Sequence, residues 1–200
     1  AGNPDLLMTE AERDNAMRML DAVNAHPTAS EWMAASTIRE QAVFWDDTVD
    51  GIACKAKPDL VAPDLGLLID LKRKTPRGGI NTVRSCVSEL VSRHYIGQLG
   101  YYLRGWLTDP ARVRLDRIGW IFVTPSAPYD VICVYADEEM LGYGAELAEK
   151  ALRVYADGLT TGDWHGVAPL PVEVSLPAYL RDGGDVADLG LTGLEVRDDG

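Results

Sequence analysis

The stretch Gly66-Leu67-Leu68-Ile69-Asp70-Leu71-Lys72 constrains the fold of this chain more than any other. Its near-continuous apolar run is consistent with a central strand buried on both faces. An Asp and a Lys abutting Leu-Leu-Ile call for a reason, because a charge beside a buried strand needs a partner. Around it the chain reads as helices, three strands, a helix, two strands and a final helix. That order predicts an α/β (α+β) domain with a mixed central β-sheet of about five strands flanked by helices.

The elements follow from local signals. Thr9-Glu10-Ala11-Glu12 has the form of a capping box, and Met17, Met19, Leu20 and Val23 give a helical stripe to about Asn24. His26-Pro27 breaks it, and a short helix over 29–35 follows. Glu40 to Trp45 and Ile52 to Leu60 are expected strands joined by turn residues 46–51. In the second, Lys55, Lys57 and Asp59 alternate with Cys54, Ala56 and Pro58, so the charged side chains share one face. Residues 72–79 form a basic loop, and a helix is expected over 87–107. Strands 118–124 and 129–135 meet at a Pro-Ser-Ala-Pro turn. Asp137 caps a last helix carrying Leu141, Ala145, Ala148, Leu152 and Tyr155 on one stripe.

A chain of 200 residues with 46% apolar content suits one compact domain. That domain is expected over residues 1–180, with helices at 9–35 and a core at 40–160, followed by an acidic tail at 181–200. No apolar run approaches the length of a membrane span, and no secretory signal opens the chain. Cys54, Cys86 and Cys133 are scattered, which fits a reducing, cytoplasmic setting and excludes a zinc or iron–sulfur spacing. The net charge is −12, yet residues 55–117 hold twelve Lys or Arg against six Asp or Glu, a local balance of +6. A basic middle between acidic flanks can bind a polyanion locally while the molecule stays soluble.

The chemistry concentrates in Pro58-Asp59, ten intervening residues, then Asp70-Leu71-Lys72. Asp59 ends one expected strand, and residues 70 and 72, two apart on the next, point to one face. Two carboxylates and an ammonium would converge at a sheet edge. Carboxylates are the ligands a hard Mg²⁺ ion prefers, and the carbonyl of Leu71 could add another. A lysine beside the metal can orient or deprotonate a water, or stabilise charge on phosphate. A strand-end salt bridge uses the same residues, so the pattern alone leaves both readings open. Gln98 and Tyr102, four apart on the following helix, share one face. Gly97 and Gly100 beside them cost a helix up to roughly 1 kcal/mol each, which a close approach to a neighbour would justify.

Glu40, Pro58-Asp59, Asp70-Leu71-Lys72 and Gln98-x-x-x-Tyr102 stand in the order of the PD-(D/E)XK nuclease superfamily, whose restriction-endonuclease-like core this chain resembles. The strings EQAVFW, GIACKAKPDL, LLIDLKRK, YIGQLGYYLRG and VICVYADEEM resemble the blocks of its phage and prophage branch, the exodeoxyribonuclease VIII (RecE-like) exonucleases. So does the region from LTTGDWHG through VEVSLPAYL, so that the likeness runs over about 9–180.

The resemblance implies a nuclease that hydrolyses phosphodiester bonds from the ends of linear double-stranded DNA. It implies a 5′ to 3′ direction, leaving 3′ single-stranded tails for phage-type recombination. Mg²⁺, with Mn²⁺ as a substitute, would be held by Asp59, Asp70, the Leu71 carbonyl and Glu40. Lys72 would act on the attacking water, and Gln98 and Tyr102 would contact the DNA end or its phosphate. Lys55, Lys57, Arg73, Lys74, Arg77, Arg84 and Arg93 would hold the DNA backbone. A ring-shaped homo-oligomer and a RecT-like single-strand annealing recombinase are the implied partners.

Two departures keep other readings open. Arg73-Lys74 stands where the family usually has Thr after the lysine, and nothing in residues 1–35 matches its upstream helix. A noncatalytic or truncated DNA-end-binding domain on the same fold is one alternative, and an endonuclease of the superfamily is another. Gly142-Tyr143-Gly144 is not a dinucleotide fingerprint, and no Gly-x-Ser-x-Gly elbow occurs. Trp45, Trp106 and Trp120 are expected in the core.

Overall fold

The computed structural model describes residues 8–75, 82–164, 171 and 173. The chain divides into two units, Ala1–Gly162 and Asp163–Gly200, and the first carries every element below. The expected boundary at 180/181 lies outside the described residues. Among the described residues no helix is long and apolar enough to cross a membrane.

The order is α1 (Glu10–Ala25), α2 (Pro27–Ala35), β1 (Ile38–Arg39), β2 (Val43–Asp46), β3 (Ala53–Ala56), β4 (Leu60–Ala62), a 3-10 turn (Pro63–Leu65) and β5 (Leu67–Arg73). Then come α3 (Val83–Ser92), α4 (Tyr95–Trp106), β6 (Arg117–Val123), β7 (Val131–Tyr135) and α5 (Glu138–Thr161). Five strands form a mixed sheet in the order β1-β4-β5-β6-β7, as the element order predicts. The β5–β6 pair is parallel and the other three pairs are antiparallel. Strands β2 and β3 pair with each other as a separate hairpin.

The apolar run takes the central position. Leu67, Leu68, Ile69 and Asp70 are each at most 2% exposed. Alternation divides them between two cores. Leu67 and Ile69 pack with Val23 of α1 and Trp32 of α2, whereas Leu68 packs with Leu99 and Trp106 of α4 and with Trp120. Asp70 and Lys72 share the parity of Leu68, so they stand on the α4 side. Trp45, Trp106 and Trp120 are all buried, as expected.

The capping box at Thr9 forms, with Glu12 N donating to Thr9 Oγ1 at 3.2 Å and Thr9 N to Glu12 Oε2 at 2.8 Å. The face of α1 differs from the expected stripe. Met17 and Leu20 are exposed, and Met19 and Val23 turn inward. The polar Asn15, one turn before Met19, lies on that face and accepts from Tyr129 Oη at 3.1 Å. In α5 the buried line runs through Gly144, Ala148, Leu152 and Ala156, leaving Ala145 and Tyr155 exposed. The reason is the approach of α4: a Cβ on Gly100 would lie 2.3 Å from the Gly144 carbonyl oxygen. The two helices cross at backbone contact, which accounts for a glycine whose helix propensity is poor.

Two single elements of the sequence reading are each divided. The strand expected over 52–60 breaks at Lys57-Pro58-Asp59 into β3, in the hairpin, and β4, in the main sheet. Proline has no N–H to continue a ladder, so the chain changes sheets there. The helix expected over 87–107 begins earlier, at a second capping box on Thr82. It then breaks at His94, whose φ of 56° is left-handed. Glu40 is not in a strand. It follows β1 with a φ of 52° and precedes β2.

Candidate active site

Both breaks serve one place. At the first, the chain turns after Pro58 and presents the Asp59 side chain to the neighbouring strand, where Leu71 N donates to Asp59 Oδ2 at 2.8 Å. Strand β4 pairs with β5 only as far as Ile69, so the Leu71 amide lies beyond that ladder and takes a carboxylate instead of a carbonyl. Asp70 and Lys72 project from the same length of β5. The Lys72 ammonium lies 2.5 Å from Asp70 Oδ2. Oδ2 is buried, and the Lys72 ammonium is the positive charge beside it.

The second break, at His94, aims α4. Lys72 Nζ donates to Gln98 Oε1 at 3.0 Å, and Gln98 Nε2 donates to Tyr102 Oη at 2.9 Å. The face of the Tyr95 ring lies 3.9 Å from the same ammonium. Tyr95, Gln98 and Tyr102 are spaced three and four apart, which puts them on one side of the helix. Asp59, Asp70, Lys72, Gln98 and Tyr102 therefore meet, and Leu71 joins them through its backbone.

The electrostatics follow from burial. Desolvation is the main cause that drives the Asp70 carboxyl up to about 6, and Asp59 adds to it while the Lys72 ammonium opposes it. Two acids, one of them buried, stand beside the Lys72 ammonium, and burial still outweighs it at Asp70, which marks a place short of positive charge. Hard oxygen donors of this kind suit Mg²⁺ or Mn²⁺. On the described residues, then, Asp59 and Asp70 fit a divalent cation. No group of three or more Asp, Glu, His or Cys able to hold a metal occurs among them.

Glu40 adjoins Asp59 through its backbone, and its carboxylate has a partner of its own. Its backbone N donates to the Asp59 carbonyl at 2.9 Å, but its carboxylate is ion-paired with Lys57. That pairing is what chiefly raises the Lys57 ammonium above its ordinary value. The cations of the basic middle are also divided. Lys55, Arg73, Arg84 and Arg93 are exposed. Lys74 is 5% exposed, and its ammonium is held by Glu89 Oε2 at 2.9 Å, so it offers no free charge to solvent. The reason is parity: Lys74 falls on the inward side where β5 ends. Arg77 lies outside the described residues.

Three participants escaped the sequence reading. Tyr95 and Glu89 lie on a helix read as unbroken, which hid the change of direction at His94. Asp47, read as a turn residue, is buried at 3% exposure and grips Arg104 of α4. The i, i+3, i+7 pattern of Tyr95, Gln98 and Tyr102 was the one available signal for the first of them.

Comparison with known proteins adds the fold. No family model and no curated protein matches the chain. Among solved structures, the "Putative exonuclease" from Eubacterium rectale superposes with a TM-score of 0.61 at 12% sequence identity. The match covers 92% of this chain and 71% of that one. At that identity the likeness shows a shared α/β fold, with a central mixed sheet and helices on both faces.

Proposed function

We propose that this chain is a divalent-metal-dependent deoxyribonuclease of PD-(D/E)XK type, acting as an exonuclease on the ends of linear duplex DNA. One observation carries the reading: Asp59, from the turn that leads into β4, and the buried Asp70 of β5 meet beside the Lys72 ammonium. The fold shared with the Eubacterium rectale protein, and that protein's name, support it.

In this reading Asp59 and Asp70 hold Mg²⁺. The bound ion supplies Lewis-acid polarisation of the phosphate under attack. Lys72, fixed by Asp70 and Gln98, presents its positive charge to the phosphate and the attacking water. Tyr102 holds the Gln98 amide in place. The exposed Lys55, Arg73, Arg84 and Arg93 take up backbone phosphates without reading sequence, which makes binding salt-sensitive. The resemblance to exodeoxyribonuclease VIII adds a 5′ to 3′ direction, 3′ tails passed to an annealing recombinase, and a ring-shaped homo-oligomer.

One observation favours a second reading. Only two carboxylates meet among the described residues, and Glu40 is engaged by Lys57. A site short of a ligand could grip a DNA end without cutting it. Digestion of a linear duplex and a matched closed circle, in Mg²⁺ and in chelator, separates the readings. The proposal expects loss of the linear duplex alone, abolished by chelator and weakened by added salt. Nicked circles would make the protein an endonuclease, and tight end binding with no hydrolysis would select the second reading.

A further inference from the structure

We infer that Tyr95 is the positioning residue for Lys72, its ring face fixing the ammonium against the edge of Asp70. This rests on reading Lys72 as part of the hydrolytic site. A lysine ammonium is a compact point charge on a flexible four-carbon stem, so its usefulness at a reacting phosphate depends on what restrains it. Two oxygens restrain it here, Asp70 Oδ2 at 2.5 Å and Gln98 Oε1 at 3.0 Å. The ring, 3.9 Å away, supplies a third side. An aromatic face is the negative part of the ring quadrupole, so it attracts the ammonium while excluding water from that side. With the Lys72 side chain only 14% exposed, this contact is largely desolvated, the condition in which it is strongest.

A second feature shows what the ring prevents. Tyr95 also walls a polar recess of about 440 Å³ lined by Arg73, Lys74, Ser88, Glu89 and Ser92. Lys72 does not line that recess. Glu89 within it is a carboxylate on which Lys74 and Arg93 already converge. Removing the ring would take away the wall that this recess shares with the Lys72 ammonium. The contact is made by the ring face, so phenylalanine should serve in its place and leucine should not.

The test compares Tyr95→Phe and Tyr95→Leu with the wild type by two independent readouts. The first is the NMR signal of the Lys72 ε-methylene protons, assigned by its loss in Lys72→Ala. An aromatic face shifts such protons upfield. The signal is expected upfield in the wild type and in Tyr95→Phe, and at its ordinary position in Tyr95→Leu. The second is hydrolysis of linear duplex in Mg²⁺. Tyr95→Leu is expected to lower kcat about five- to thirtyfold with KM for DNA ends little changed, and Tyr95→Phe to remain near wild type. Melting temperatures run beside both. A Lys72 signal that is not upfield in the wild type, or that Tyr95→Leu leaves in place, would overturn the inference. So would equal losses of rate in the two variants, or a loss that only tracks the melting temperature. A wild type that hydrolyses nothing would overturn the functional reading instead, and the NMR signal would still decide whether Tyr95 holds Lys72.

Discussion

Replacing Lys72 with alanine is expected to abolish DNA hydrolysis while leaving the fold intact. The lysine stands near the C-terminal end of β5, beyond the buried run of Leu67, Leu68 and Ile69, so the sheet loses little packing. Its ammonium is the described cation that faces Asp70, Gln98 and the Tyr95 ring together. A charge aimed at a developing negative charge in a desolvated site is worth a factor of roughly 10²–10³ in rate, and alanine removes it outright. The vacated Asp70 does not become an intolerable buried charge, because its carboxyl is already raised to about 6 and readily takes up a proton. Release of nucleotides from end-labelled duplex, measured beside circular dichroism and thermal melting, checks both halves. Hydrolysis at the wild-type rate in Lys72→Ala would remove Lys72 from the mechanism.

The largest effect on stability is expected at Asp47. Its side chain is 1% exposed. It accepts from Arg104 Nε at 2.7 Å, Arg104 Nη2 at 2.8 Å, Trp45 Nε1 at 2.9 Å and Val49 N at 2.9 Å. Alanine would leave an indole and a backbone amide without their acceptor, and a guanidinium with only Thr48 Oγ1 and the more distant Glu149 carboxylate. Breaking one side of such a pair costs about 3–5 kcal/mol. The clamp joins the β2–β3 hairpin to α4, and β3 leads into Pro58-Asp59, so loosening it should also lower hydrolysis by displacing Asp59. Urea denaturation of Asp47→Ala measures the first effect and an activity assay the second.

The same residue gives the acid limb of stability its sign. The Arg104 hydrogen bonds hold the Asp47 carboxyl well below its ordinary value, outweighing burial, which acts the other way. A folded-state value below the unfolded one means that the stability gained is present above the unfolded carboxylate value and lost as pH falls through the folded one. Wild-type stability should therefore fall faster than that of Asp47→Asn as pH drops below about 4. Parallel acid limbs for the two proteins would show that the clamp does not contribute in this way.

What could be read from the residues alone was mostly local. Strand periodicity placed Asp70 and Lys72 on one face because period two is strict, and helix spacing paired Gln98 with Tyr102. The buried run at residues 66–71 pointed to the central strand. The missed features depend on long-range packing. Arg104 lies 57 positions from Asp47, so the turn composition of residues 46–51 concealed a buried acid. The two breaks, at Pro58 and His94, divide segments read as single elements, and both orient site residues. The stripe on α1 failed because the face that packs includes a polar residue, Asn15, with its own hydrogen bond from Tyr129. Counting cations also overstated the free charge, since Lys74 and Lys57 are each taken up by a glutamate.

The central claim is that Asp59 and Asp70 form a divalent-cation site. Titration of Mn²⁺ into the wild type, Asp59→Asn and Asp70→Asn, followed by electron paramagnetic resonance and by calorimetry, tests it most directly. Saturable binding to the wild type, weakened at least about tenfold by either substitution with the fold retained, is the expected result. No binding to the wild type, or the same affinity in all three proteins, would contradict it.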